Sequence, residues 1–451
     1  MKRYPLSTES TANSFSAISK MDSDNLMHPN GAIAFNKEEP AILIVSASGM
    51  ILKDNHGLEY IDAISGLINV NVGYGRHELN AAATQAKNIS YGTLFFGRTN
   101  EFAAKLAGKL ATISPTGIER FFFTLSGSDA NDTAFRLVRA TNVARGLTKK
   151  LKILARRNSY HGATIATMSA GGNSLRHLGL GIRMPGFVDI SQPIAEFDAI
   201  AELEKVIARE GPETIAAFIG EPIAYQAGMI VPPKHYWQKV REICTKNDIT
   251  LIIDEVLTGF GRTGKMFAIE HWGITPDMLI ISKGLTSGYL PLAAVGIHST
   301  YHDSILASLG SGEGILGFTG TGHPASCAVA LANLEIIERE GLVENSRVMG
   351  EYLLTQLNAM QANSKNISGT RVLGLLAGLD VVASHNAEES ENFSFCKDIV
   401  ELLKARRIFL RPFGRTIAIA PPLIATAADI DLICAEIDRA IRDVKKAKVN
   451  S

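Results

Sequence analysis

Between about Leu79 and about residue 340, short apolar runs alternate with segments of helical periodicity. Each run has the length of a strand and is too short for a core helix. We predict strands at Arg120–Thr124, Lys152–Ala155, Ala216–Ile219, Thr250–Ile253, Met278–Ile281 and Ala293–His298. Strands that alternate with helices in this way form sheets that are mostly parallel and covered by helices on both faces. The sequence therefore predicts an α/β protein.

The chain ends have a different pattern. Residues 1–30 are rich in Ser, Thr, Asp and Asn, which predicts an N-terminal arm that orders only when it docks. Residues 31–78 carry short strand-like runs, and so do residues 341–451, which finish in a predicted helix, Ala427–Lys446. We therefore separate both of these segments from the central region at 79–340.

An acidic residue and a lysine follow two consecutive predicted strands. Asp254 comes directly after Thr250–Ile253, and Lys283 comes shortly after Met278–Ile281. A buried carboxylate needs a cationic partner, and burial lowers the pKa of an amine toward the range that Schiff-base chemistry needs. Taken alone, Asp254 would more often be a loop cap, and Lys283 would more often be a solvated surface lysine. Together they match the pair that binds pyridoxal phosphate, with the lysine on its aldehyde and the carboxylate at its ring nitrogen.

The segment LIIDEVLTGFGRTGKMFAIEHWGITPDMLIISKGLTSGYLPLAAV contains both residues and resembles the signature of class III aminotransferases. The resemblance runs from about His28 to about Arg439 and is closest to the amine:pyruvate branch, the ω-transaminases. It implies the fold-type I architecture, with a large cofactor domain, here 79–340, around a mostly parallel seven-stranded sheet. It also implies a smaller α+β domain from both chain ends, here 31–78 and 341–451, and a homodimer with shared active sites.

A strand, a glycine turn and a helix meet at RFFFTLSGSD. Gly127 and Ser128 lie at the start of the predicted helix Asp129–Arg145, where free backbone N–H groups favour an anion. Many α/β proteins use such a turn only to cap a helix. The resemblance assigns Gly127 and Ser128 to the cofactor phosphate.

The stretch GFTGTGHPASC resembles the family segment GFTYSGHP. The resemblance implies that Phe318 and Thr319 reach the phosphate bound by the partner subunit. Gly320 stands where the family has an aromatic residue, which is a departure from the family pattern.

Three further residues match family positions around the cofactor ring. Tyr160, in YHG, corresponds to the aromatic residue that covers one ring face, and Val256 corresponds to the residue that covers the other. Glu221, in GEPI, corresponds to a glutamate on the cofactor side of the site. Without the resemblance, each would more often be a core residue or a loop charge.

Arg411, in LRPFGRTIAIAPPL, matches the family arginine that binds the substrate carboxylate and swings aside for a neutral amine. A guanidinium suits this task because its donors match a carboxylate in pairs. Arg415 is the nearby competitor. Ornithine and γ-aminobutyrate enzymes carry a second glutamate that pairs with this arginine, but this chain has Gln226 there. This departure favours the amine:pyruvate branch.

A second departure concerns the size of the substrate pocket. Relatives often have a tryptophan after SGL, where this chain has Ile68 in SGLINVNVGYGR. A smaller side chain there predicts a wider apolar end. Phe95, Phe96 and Tyr225 are candidates to line it, although each is more often a simple core residue.

Composition excludes several other function classes. The chain has 45 basic and 45 acidic residues, so no net field favours nucleic acid or an anionic membrane. The four cysteines, at 244, 327, 396 and 434, show no metal or redox spacing, which predicts free thiols in a reducing compartment. We see no signal peptide and no apolar run of about 18 residues, so we expect a cytoplasmic protein.

The resemblance implies a ping-pong transaminase that uses an amine or ω-amino acid and an α-keto acid. Lys283 would carry the transferred proton, and Arg411 would hold the keto acid, with pyruvate favoured. A class III decarboxylase, racemase or aminomutase would use the same Lys283 and Asp254. A ligand-responsive regulator would need an added DNA-binding domain, which neither the arm nor the balanced charge supplies. The donor, its handedness, the choice of pyruvate over 2-oxoglutarate and the choice of dimer or tetramer stay open.

Overall fold

The computed structural model describes residues 11–29, 41–89, 91, 94–172, 181–194, 198–310 and 316–450. The strands in these ranges are β1 (Ile44–Ser48), β2 (Ile51–Asp54), β3 (Glu59–Asp62), β4 (Ile118–Thr124), β5 (Lys152–Arg156), β6 (Phe187–Ile190), β7 (Ile215–Gly220), β8 (Thr250–Asp254), β9 (Met278–Ile281), β10 (Ala293–His298), β11 (Ile367–Val372), β12 (Ala377–Val381), β13 (Ile408–Phe409), β14 (Arg411–Phe413) and β15 (Thr416–Ile419). The helices of six or more residues are Thr11–Asn25, His77–Gln85, Glu101–Ile113, Gly127–Ala144, Ile165–Ala170, Ala199–Glu210, Tyr236–Lys246, Ser299–Leu309, Pro324–Arg339, Leu342–Asn363, Glu389–Ala405 and Ala427–Asn450.

The central sheet has seven strands in the order β4-β10-β9-β8-β7-β5-β6. Strand β10 pairs antiparallel with both neighbours, and the remaining pairs are parallel. The predicted mostly parallel seven-stranded sheet is therefore confirmed. Strand β6 was not predicted from the sequence, because it is a four-residue edge strand, FVDI, that contains a polar residue.

Alternate residues of the central strands face opposite sides of the sheet. Phe218 and Ile253 belong to the hydrophobic core on one side, and Ile219 and Ile252 belong to the core on the other. The second core also contains the inner face of the helix Gly127–Ala144, which crosses the sheet. Burial on both faces explains why these strands are continuous apolar runs in the sequence.

Two four-stranded sheets lie outside the central one, in the orders β1-β2-β3-β13 and β11-β12-β15-β14. In the first sheet, β13 pairs parallel with β3, with Ile408 opposite Ile61 and Phe409 opposite Asp62. This pairing joins the N-terminal strands to the C-terminal part of the chain. Strand β14, which begins with Arg411, lies at the edge of the second sheet.

A buried arginine ties the chain ends to the loop after β8. The Arg262 side chain is fully buried, and its Nη1 donates to the carbonyl oxygens of Leu375, at 2.9 Å, and of Pro421. Its Nη2 donates to Ser65 Oγ at 3.2 Å and to Asn71 Oδ1 at 3.1 Å. Burial lowers the pKa of Arg262 to about 10. One side chain therefore holds segments from both ends of the chain.

The predicted N-terminal arm contains a helix, Thr11–Asn25, that the sequence analysis did not predict. Residues 1–10 and residue 30 of the arm lie outside the described residues. Within the described part of the chain, no helix combines the length and apolar character needed to cross a membrane. The four cysteines are buried free thiols, and burial raises the pKa of each to about 12.

Candidate active site

The parallel strands of the central sheet end at one edge, where a cavity of about 340 Å³ opens. Asp254 is the last residue of β8, and Lys283 follows β9 after one intervening residue. Tyr160 follows β5, and Glu221 follows β7 directly. The predicted site residues that line this cavity are Gly127, Ser128, Tyr160, Glu221, Asp254, Val256 and Lys283.

Asp254 is held by hydrogen bonds from three sides. His161 Nδ1 lies 2.7 Å from Asp254 Oδ2, and Asn131 Nδ2 donates to the same oxygen at 2.9 Å. The backbone N–H of Val256 donates to Oδ1 at 3.1 Å. The Asp254 side chain is 3% exposed. The carboxylate is therefore fixed in position, with its polar partners aligned before any ligand binds.

His161 and Asn131 are site residues that the sequence did not predict. Asn131 also donates to the carbonyl oxygen of His161, at 2.8 Å, so the two residues brace each other as well as Asp254. His161 directly follows Tyr160 in YHG, and Asn131 lies one helical turn after Gly127, on the buried side of its helix. Their closeness in the sequence to predicted site residues was the available signal. Only the three-dimensional contacts show that both residues hold Asp254 in place.

Lys283 lies in a 3₁₀ turn with φ of +45°, an uncommon conformation for a non-glycine residue. Burial lowers the pKa of Lys283 to about 8, although the charges of Asp254 and Glu221 act in the opposite direction. The turn is closely packed, because a Cβ on Gly284 would lie 2.5 Å from Asn71 Nδ2. A substantial fraction of this amine is therefore neutral and nucleophilic near pH 8.

Glu221 is a buried carboxyl group on the same cavity wall. Burial raises its pKa to about 7, although His161 and Arg156 favour the charged form. Among the described residues, no partner reaches Glu221 Oε2. Arg156 donates to the backbone oxygen of Glu221, so it holds the main chain and leaves the carboxyl group on the cavity wall.

The turn after β4 leads into the helix Gly127–Ala144 beside the same cavity. Ser128 Oγ accepts a hydrogen bond from the backbone N–H of Ala163, at 3.1 Å. A Cβ on Gly127 would lie 2.9 Å from Val256 Cγ2, so the position requires a residue without a side chain. The helix N-terminus thus opens onto the cavity next to Val256.

A smaller cavity of about 110 Å³ adjoins the first and shares Tyr160 and Lys283 with it. Its other walls include Ile68, Tyr225 and Arg411. The structure therefore brings these three predicted substrate residues to the side of the site that faces Lys283.

Arg411, and not Arg415, lines this smaller cavity. The Arg411 guanidinium lies over the ring of Phe413, with 5.2 Å between its Cζ and the ring centroid. Arg415 lies within ion-pair distance of Asp380, at 3.9 Å, and Glu389, at 3.5 Å. The two arginines are four positions apart, but their side chains lie in different environments.

Ile68 ends a short turn, Ser65–Ile68, with unusual backbone geometry. Its φ is +58°, and Ser65 and Gly66 also have positive φ values, of +50° and +65°. A β-branched residue is strained in this region. The turn nevertheless buries Ile68, which is 5% exposed, against the smaller cavity.

Four predicted residues, Phe95, Phe96, Phe318 and Thr319, line neither cavity in the described structure. Phe96 is 89% exposed, with its ring 6.1 Å from that of Phe95. Thr319 is exposed, and the Phe318 backbone N–H donates to Thr321 Oγ1 at 3.1 Å. The assignment of Phe318 and Thr319 to a partner's phosphate stays a prediction.

The structure gives a reason for the departure at Gly320. A Cβ at this position would lie 2.7 Å from Leu125 Cδ2, and Leu125 lines the larger cavity. A larger side chain would therefore require Leu125 to move.

Comparison with known proteins places this site in context. Residues 32–441 match the family model for aminotransferase class III. The putrescine–pyruvate aminotransferase of Pseudomonas aeruginosa is 38% identical, over 87% of this chain and 89% of that protein. The taurine–pyruvate aminotransferase of Bilophila wadsworthia is 36% identical, over 90% and 93%. The omega transaminase from Pseudomonas jessenii, solved in complex with PMP, superimposes with a TM-score of 0.90 at 34% identity, over 95% and 98%.

Proposed function

The chain belongs to the class III aminotransferases, and from that membership we propose that it moves an amino group from a primary amine or ω-amino acid to pyruvate. The observation that carries the proposal is the placement of the Lys283 amine and the Asp254 carboxylate in one cavity, at the ends of adjacent strands. The two relatives described above share pyruvate in their names and differ in the amine, which supports pyruvate as the acceptor.

Class III aminotransferases depend on pyridoxal phosphate, and the residues of the larger cavity fit this group. Asp254 offers a carboxylate whose described partners include no lysine or arginine, which suits a protonated pyridine nitrogen. Gly127 leaves space beside a helix N-terminus, which suits a phosphate. When bound, the cofactor supplies a ring that accepts the electron pair of the substrate carbon.

Lys283 has two roles in this proposal. Its neutral amine would hold the cofactor at rest, and it would carry the proton at the substrate carbon during turnover. A pKa of about 8 suits both roles, because the amine is then a base of moderate strength near neutral pH. Asp254 would keep the ring nitrogen protonated, and His161 and Asn131 hold that carboxylate in place.

The family resemblance supplies the remaining cofactor contacts, and the position of these residues on the cavity wall supports them. Tyr160 and Val256 would cover the two faces of the ring, and Gly127 and Ser128 would bind the phosphate. Glu221, at the end of β7, would lie on the cofactor side of the site. Phe318 and Thr319 are proposed to contact the phosphate of the partner subunit in a homodimer.

Arg411 is proposed to bind the carboxylate of pyruvate. Arg411 lines the smaller cavity together with Lys283, and no carboxylate of the described residues lies within ion-pair distance of its guanidinium. The cation–π contact with Phe413 stabilises the Arg411 side chain when no anion is bound. We also propose a cytoplasmic location, because the four cysteines are buried free thiols.

The proposal is tested by incubating the holoenzyme with an amine panel and pyruvate, and by measuring alanine, the carbonyl product and carbon dioxide. We expect equal amounts of alanine and carbonyl product, parallel lines in double-reciprocal plots, and no carbon dioxide. Reactions without pyruvate serve as the control, and 2-oxoglutarate replaces pyruvate in a parallel series. Carbon dioxide release without alanine would instead indicate a decarboxylase.

A further inference from the structure

Tyr225 carries a polar atom that no partner satisfies within the described part of the chain. The side chain is 1% exposed, and its ring packs edge-on against Phe413, with 5.1 Å between the ring centroids. Its Oη is buried and has no hydrogen-bond partner there. Leaving a buried hydroxyl unpaired is costly, so such a group calls for an explanation.

The phenol lies on the wall of the smaller cavity, next to Arg411 and Gln226. Burial raises the pKa of Tyr225, so the phenol keeps its proton and can donate a hydrogen bond. Arg411 and Arg262 both lie close enough to act electrostatically on the phenol oxygen. The surroundings of the phenol therefore have a positive potential, which favours an anion.

The charges of the residues that line the smaller cavity also favour an anion. The described residues that line the smaller cavity include Lys283 and Arg411 but no aspartate or glutamate. A ligand group that carries a positive charge would meet the guanidinium of Arg411 and no counter-charge among these lining residues. A carboxylate or a sulfonate would instead meet the guanidinium of Arg411 and the phenol of Tyr225, neither of which has an acceptor among the described residues.

We propose that the smaller cavity is a subsite for an oxyanion at the far end of the amino donor, with Tyr225 donating a hydrogen bond to that oxyanion beside Arg411. The enzyme then prefers ω-amino acids and aminosulfonates over diamines. This inference rests on the proposed transaminase function, and it adds the class of the donor. In this proposal Tyr225 determines donor specificity through its hydroxyl group, in addition to the apolar packing of its ring.

The donor preference of the unmodified holoenzyme gives the first test. Single-turnover rates are measured with β-alanine, taurine, putrescine and neutral propylamine, each without a keto acid. We expect β-alanine or taurine to react at least about tenfold faster than putrescine at equal subsaturating concentration, as the wrong charge in the subsite would require. The comparison of β-alanine with taurine shows whether the oxyanion is a carboxylate or a sulfonate.

Tyr225→Phe gives the second test, since it removes the phenol oxygen and keeps the ring that packs on Phe413. We expect kcat/KM for the favoured anionic donor to fall about tenfold, as for a lost hydrogen bond to a charged group, and the value for propylamine to stay within about twofold. Tyr301→Phe is the control, because Tyr301 is a partly buried tyrosine whose Oη accepts a hydrogen bond from Thr250 Oγ1 at 3.4 Å, outside both cavities. The control should leave the ratio between donors unchanged.

Several outcomes would overturn the inference. Equal losses for the anionic donor and for propylamine in Tyr225→Phe would give the phenol a general structural role. An effect on the pyruvate half-reaction alone would mean that the phenol contacts the keto acid acceptor and not the amino donor. Should the variant fail to fold, a preference of the unmodified enzyme for putrescine over both anionic donors would be sufficient to reject the subsite. Failure of every donor to form alanine with pyruvate would instead reject the transaminase proposal itself.

Discussion

The two ends of the active site are built differently. At the cofactor end, Asp254 and Lys283 stand at the ends of β8 and β9, and Asp254 accepts hydrogen bonds from His161, Asn131 and a backbone N–H. At the substrate end, the walls come from a turn with left-handed residues, from the loop after β7 and from the edge strand β14. There the phenol oxygen of Tyr225 has no partner among the described residues.

This difference separates chemistry from selectivity. A group that acts on every substrate gains from being fixed beforehand, because it then pays no reorganisation cost during the reaction. A group that chooses between substrates must be left incomplete, since the right substrate supplies its missing partner. We therefore expect changes at the cofactor end to slow both half-reactions and changes at the substrate end to affect one class of substrate.

The largest effect is expected from Lys283→Ala at the cofactor end. Without the amine there is no bond to the cofactor and no proton carrier, so transamination should fall below detection for every donor. Alanine production measures this loss, and borohydride reduction followed by mass spectrometry should label Lys283 in the unmodified enzyme. Lys265→Ala, which changes an exposed lysine, should remain active. Labelling of another lysine would move the catalytic centre elsewhere.

Asp254→Asn should slow both half-reactions and leave the cofactor bound. The substitution keeps the side-chain shape and removes the charge opposite the ring nitrogen, at a cost of roughly 3 to 5 kcal/mol by comparison with broken buried ion pairs. Stopped-flow rates for the amine and the pyruvate half-reactions report the loss separately. Asp303→Asn provides the exposed acid-to-amide control. A near-normal rate in Asp254→Asn would contradict its role.

Arg411→Gln should impair the pyruvate half-reaction and spare that of a neutral amine. Losing a charge-assisted contact to a carboxylate should cost about 2 to 5 kcal/mol. Single-turnover rates for each half-reaction decide the matter, with Arg415→Gln as the matched control on the same hairpin. Equal slowing of both half-reactions would contradict the expectation that changes at the substrate end affect one class of substrate. A larger effect in the Arg415 variant would relocate the carboxylate site.

Ile68→Trp should have the smallest effect, confined to the choice between amines. An indole in place of a branched aliphatic group would fill the smaller cavity, and a pocket distinguishes such differences in size by roughly 1 to 3 kcal/mol. We expect the ratio of kcat/KM for a small and a bulky amine to rise about tenfold or more in favour of the small one. Ile68→Leu keeps the side-chain volume and should leave the ratio unchanged. An unaltered ratio in a folded Ile68→Trp enzyme would remove Ile68 from the substrate pocket.

The cofactor end was largely predictable from the sequence. Strand ends follow from the apolar runs, and parallel strands must bring Asp254, Lys283 and Glu221 to one edge of the sheet. Strand β6 was missed because a short edge strand needs fewer apolar residues than a central one. The roles of His161 and Asn131 were missed because they depend on contacts between segments that are distant in the chain.

The substrate end was less predictable, because side-chain direction decides it. Arg411 and Arg415 belong to one hairpin, and only the three-dimensional arrangement shows that Arg411 faces the smaller cavity. Phe96 was selected as a substrate residue, but it lies 89% exposed in this structure. The unpaired oxygen of Tyr225 could not be foreseen, since an aromatic residue in an apolar stretch predicts burial but not the absence of a partner.

The hydrogen bonds of Arg262 have a consequence for how the protein is made. Its partners include Leu375 and Pro421, which a ribosome adds after the whole central sheet has left the exit tunnel. Until Pro421 is added, the guanidinium and the turn at Ser65 lack some of their final partners. Arg411 joins the chain only shortly before Pro421. The nascent protein therefore has Ile68, Tyr225 and Lys283 before it has Arg411. The arginine that binds the anion is the last of these four site residues to join the growing polypeptide.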